Sequence, residues 1–77
     1  MAIVLHVDLK KTDRELSRDI TARCSSFGVV RSVKVHRDPT TFALIKMVSH
    51  DDTLKLTGQY GVSTYHNVAL VPLEQES

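Results

Sequence analysis

The chain has 77 residues, with 10 Lys and Arg against 9 Asp and Glu and a formal net charge of +1. That length holds one domain with a modest core, and 42% apolar with 25% charged residues is globular composition, which excludes a disordered chain. The near-neutral balance excludes polyanion binding by bulk charge alone, and the single cysteine, Cys24, excludes an internal disulfide. No apolar run approaches the roughly 20 residues of a membrane span. Ile3-Val4-Leu5 is too short for a secretory apolar region and has no basic segment before it. A monomer in a reducing cytoplasmic or nuclear compartment is the expected setting.

Ala2 to Leu9 is rich in Val, Ile and Leu and is bounded by Lys10-Lys11-Thr12, so it reads as a first strand. Thr12 and Glu15 have the spacing of a capping box, and Leu16 and Ile20 follow at helical intervals. An amphipathic helix of about three turns is expected, with Cys24 as a small buried residue and Gly28 as the stop. Arg14, Arg18 and Arg23 fall among Asp13, Glu15 and Asp19, which predicts balanced surface pairs on that helix. Val29 to Arg37 alternates, with Val29, Arg31, Val33 and Val35 on one parity and Val30, Ser32, Lys34 and His36 on the other. Asp38-Pro39-Thr40-Thr41 is a turn. Phe42 to Val48 is a third strand, with Ala43, Ile45 and Met47 inward and Phe42, Leu44 and Lys46 outward.

Ser49 followed by acidic Asp51 and Asp52 predicts a second helix, shortened by Gly58 and Gly61. Val62 to Asn67 reads as a loop or short hairpin, and Val68 to Leu73 as the last strand, with Pro72 marking a strand end or sheet edge. Glu74 to Ser77 reads as a solvated tail. The expected fold is α+β: a ferredoxin-like βαββαβ sandwich, in which two βαβ units interleave into a four-stranded antiparallel sheet with both helices on one face. Function is then sought on the face left bare.

The chain resembles the RNA recognition motif family from Ile3 to about Leu73, as a single such domain over 1–77. The family octapeptide on the third strand, K/R-G-F/Y-G/A-F-V-x-F/Y, aligns with Thr40-Thr41-Phe42-Ala43-Leu44-Ile45-Lys46-Met47. Phe42, Ala43 and Ile45 match the first aromatic, small and aliphatic positions. Leu44 replaces the second aromatic, Thr40 the basic residue, Thr41 the glycine and Met47 the final aromatic. Leu5-His6-Val7 resembles the first-strand hexapeptide, with His6 in its aromatic position. Ser26-Phe27-Gly28-Val29-Val30 resembles the family's helix-to-strand junction.

The resemblance implies single-stranded RNA as partner and an open sheet face as the site, because unpaired bases stack on aromatic side chains there. Phe42 would stack one base and His6 the next. Leu44 would make an apolar contact, and Lys34, Lys46 and Arg37 would meet phosphates. Thr40, Ser32, His36, Ala69 and Val71 would complete the platform. The alternative is a protein-interaction domain on the same fold, binding a hydrophobic peptide or partner chain through the helices or through a patch of Phe42, Leu44, Val71 and Val4. No catalytic residues, cofactor or metal are expected: His6, His36, His50 and His66 lack zinc-ligand spacing, and no nucleophile–base pattern is visible. Tyr60 and Tyr65 are expected to pack the second helix and its loop, the alternative being that they reach the edge of the platform.

Overall fold

A computed structural model describes residues 3–76; the expectations that fall on Ala2 and Ser77 lie outside the described residues. The elements are β1 (Leu5–Val7), α1 (Asp13–Cys24), β2 (Val30–His36), β3 (Phe42–Met47), α2 (His50–Thr57), β4 (Val62–Ser63) and β5 (Val68–Gln75). The α+β class is as expected, but the sheet has five strands, not four, and is mixed. Its order is β1-β5-β3-β2, with β4 also paired to β5. β1 runs parallel to β5, whereas the β2–β3, β3–β5 and β4–β5 pairs are antiparallel. The last strand therefore lies between the first and the third, and β1 stands at an edge.

Local chemistry builds both helices. Thr12 Oγ1 accepts from Glu15 N at 3.2 Å and Glu15 Oε1 accepts from Thr12 N at 3.2 Å, closing the capping box of α1. Such a cap stabilises a helix by about 1 kcal/mol. Ser49 Oγ accepts from Asp52 N at 3.1 Å at the start of α2. Leu16, Ile20 and Cys24 of α1 and Leu56 of α2 join Leu5, Val7, Ala43, Ile45, Met47, Ala69, Val71 and Leu73 in one core. Those sheet residues share one pleat face, so both helices cover that side. Thr53 is also fully buried; its hydroxyl lies 3.1 Å from Asn67 O and 3.2 Å from Ser49 O, which satisfies it. Burial pushes the Cys24 thiol up to about 11, so it stays protonated at neutral pH.

Three strand details depart from expectation. A register shift between Val30 and Ser32 puts Val30 against the core with Val33 and Val35, while Val29 is 65% exposed. Bulges change which parity faces inward, and simple alternation from Val29 misses that. Glu74 and Gln75 are not tail: they pair with His6 and Val7 of β1. Pro72 sits in mid-strand at the place where the neighbour of β5 changes from β4, paired at Leu70, to β1, paired at Leu73. A missing N–H is tolerated there because no ladder partner faces it. Gly61, at φ 66, turns the chain into β4, and a Cβ there would collide with the Leu70 carbonyl oxygen.

Candidate nucleic-acid interface

The helix-free face carries Ser32, Lys34 and His36 of β2 and the even-numbered residues of β3 and β5, and cross-strand register arranges them in rows. His36 faces Phe42, and Phe42 faces Pro72. Lys34 faces Leu44, Leu44 faces Leu70, and Leu70 faces Val62. Ser32 faces Lys46, and Lys46 faces Val68. Phe42, Leu44, Lys46, Val68, Leu70 and Pro72 are half-buried, while Ser32 and Lys34 are exposed. The outward placement of Phe42, Leu44 and Lys46 agrees with the alternation read from the sequence.

Phe42 is not a bare ring. The His36 imidazole lies parallel to it, with centroids 4.9 Å apart and planes 11° from coplanar. One face of the phenyl is thus already stacked, and the two rings form a single aromatic tier. Its Nε2 is buried with no hydrogen-bond partner among the described residues. His36 is therefore a larger part of the platform than its sequence position suggested.

Four expected platform residues are placed differently. Ala69 and Val71 are 0% exposed and point into the core, one pleat out of phase with the site. Val68, Leu70 and Pro72 take their place, so the proposed apolar patch loses Val71 as well. Arg37 is a structural clamp: Nε donates to Asp13 Oδ1 at 2.7 Å, Nη1 to Leu9 O at 2.8 Å and Nη2 to Lys11 O at 2.9 Å. Three of its five N–H donors tie the end of β2 to the β1–α1 connection, a structural role the phosphate expectation did not include. His6 does face outward, but it lies on edge strand β1 opposite Glu74, with Nε2 3.4 Å from the Glu74 carboxylate. β5 separates it from Phe42, so the two are not on neighbouring strands, and two strand spacings put them about 10 Å apart laterally. Thr40 is exposed in the β2–β3 turn.

The β4–β5 hairpin supplies a wall, and there Tyr65 departs from the packing role favoured for it. His66 and Asn67 take φ 54 and 63, and Val68 N donates to Tyr65 O at 3.2 Å, closing a tight turn. Thr64 and Tyr65 stand beside Leu44 and Val68 and frame a groove of about 240 Å³. Tyr65 is 75% exposed, with its ring edge-to-face against His66 at 5.0 Å. Tyr60, in contrast, packs edge-to-face on Phe27 beside the core, as expected. The cue for Tyr65 was the hairpin spacing that returns Val62–Asn67 onto the last strand.

Lys34 and Lys46 enter no ion pair among the described residues, and both flank Leu44. The face thus combines stackable rings, an apolar groove and unpaired cations, the three parts that single-stranded nucleic acid uses. Among the described residues no three His, Cys, Asp or Glu side chains gather as a metal site, and no helix is long and apolar enough to cross a membrane. No protein-family model, curated protein or solved structure matches the chain.

Proposed function

We propose that this chain is a single-stranded RNA-binding module acting through the helix-free face of its sheet. The observation that carries the reading is the Phe42–His36 tier beside the Leu44–Tyr65 groove, with Lys34 and Lys46 at its margin. One base stacks on the free side of the tier, and a second enters the groove against Tyr65. The two lysines meet the phosphates between them. Aromatic stacking is worth about 1–3 kcal/mol per base, so two sites on a small face give modest, salt-dependent affinity. The reading rests on this surface rather than on family membership: the segment around Phe42 is similar to the RNA recognition motif octapeptide, whereas the strand order is not that of the interleaved antiparallel sheet first expected.

Fluorescence anisotropy with labelled octamers of uridine and adenosine tests it. Phe42→Leu keeps apolar volume and deletes the π-face, and should weaken binding by about tenfold. Lys34→Glu with Lys46→Glu should weaken it further and flatten its dependence on salt. Unchanged affinity in all three substitutions, with unchanged melting temperatures, would refute the assignment.

A further inference from the structure

We propose that the free edge of β2 accepts an extended acidic peptide as an added strand, a second activity beyond the nucleic-acid reading that shares only Lys34 with it. The hydrogen-bond phase of the sheet identifies the free groups. Leu73 N donates to Thr41 O at 3.1 Å and Met47 N to Asn67 O at 3.0 Å, so odd-numbered residues of β3 bond toward β5. Even-numbered ones bond toward β2, in line with the Val48 N to Val29 O bond at 3.0 Å. Backbone groups alternate in direction along a strand. Residues 32, 34 and 36 therefore face β3, and Val33 and Val35 direct both N–H and C=O away from the sheet. β2 ends the strand order, and no described hydrogen bond closes on these groups.

A groove runs beside that edge. It lies between β2 and α1, holds about 600 Å³, has Val33 and Ala22 among its apolar lining, and is bordered by Arg14, Arg18 and Thr21. The two arginines are exposed and enter no ion pair among the described residues. The balanced helix pairs expected from sequence do not form, because each acid has another partner. Asp13 binds Arg37, Asp19 binds Lys11, and Glu15 closes the helix cap. On the other face of the same edge stands Lys34, also unpaired. The edge is cationic on both sides.

An added strand sends its side chains alternately to the two faces. On the helix side an aliphatic residue meets Val33 and Ala22. On the open side a carboxylate meets Lys34, and on the helix side carboxylates two residues before and after the aliphatic one reach Arg14 and Arg18. A second copy of β2 would bring a second set of Arg31 and Lys34 cations to this edge, so like-charge repulsion opposes self-pairing and favours an acidic partner. The apolar lining and the outward N–H and C=O pairs fit a peptide main chain better than a sugar-phosphate one.

The probe is acetyl-Glu-Glu-Val-Glu-Glu-amide, whose first, third and fifth side chains share the helix side and whose second and fourth share the open side, titrated into the ¹⁵N-labelled chain. Expected are shifts along residues 31–36 and 14–25, slower exchange of the Val33 and Val35 amides, and about tenfold weaker binding after Arg14→Glu with Arg18→Glu. A peptide N-methylated at alternate residues should not bind, because it cannot continue the ladder. Equal binding of the N-methylated peptide, or of the lysine counterpart, would overturn the proposal. So would shifts confined to Phe42 and Leu44.

Discussion

The same substitution at two positions of β5 tests the orientation on which both surfaces depend. Val71 is 0% exposed and faces the helices, opposite Ala43. Val68 is half-buried on the other face, opposite Lys46. Threonine is nearly isosteric with valine, so Val→Thr changes one methyl into a hydroxyl at constant volume. At position 71 the neighbours in the core are apolar, and an unpartnered buried hydroxyl costs about 2 kcal/mol. At position 68 the hydroxyl keeps access to water, and the cost should stay within about 0.5 kcal/mol. A domain of this length is stable by only about 4–11 kcal/mol, so the difference is large relative to the whole. It corresponds to a melting temperature lower by about 8–16 °C for Val71→Thr and little change for Val68→Thr. Urea unfolding followed by far-UV circular dichroism measures both. Equal costs, or a greater cost at position 68, would mean that β5 presents its other face to the helices. The Leu44–Leu70–Val62 row would then not exist.

Two further outcomes follow from named contacts. Arg37→Lys can replace at most one of the three guanidinium bonds and should cost about 1 kcal/mol in a thermal melt, while leaving RNA affinity unchanged in the anisotropy assay. The Glu15 carboxyl is held below its ordinary value of 4.5, chiefly by the side-chain hydrogen bond from Thr12 and then by the Thr12 amide. A carboxyl lowered on folding stabilises the folded state above that ordinary value, and the contribution is lost as pH falls through the lowered one. Stability followed from pH 7 to pH 3 should therefore fall at the acid end, and Thr12→Ala should both lower the neutral-pH stability by about 1 kcal/mol and shrink that acid loss.

What the sequence determined by itself was local. Thr12 and Glu15 lie three apart, so the capping box needs nothing beyond its own turn. In β3 a polar Lys46 and a small Ala43 mark opposite faces, so the outward set of Phe42, Leu44 and Lys46 is legible from a period of two. β5 reads Val-Ala-Leu-Val-Pro-Leu, apolar on both parities. Its polar residues, Glu74 and Gln75, fall one on each parity, so alternation there cannot distinguish Ala69 and Val71 from Val68 and Leu70. The bulge after Val30 erases the same signal in β2.

The tertiary structure decided which strands are neighbours, and that choice reassigned the site. Strand pairing is a competition between segments distant in the chain, settled by how their apolar faces fit under the helices. Placing β5 between β1 and β3 moved His6 away from Phe42 and set Glu74 beside it. It also folded the β4–β5 turn back so that Tyr65 walls the open face. Arg37 became a clamp because partners 24 to 28 residues away meet at the end of β2. No local pattern encodes a meeting of that kind, because it exists only once the core has closed.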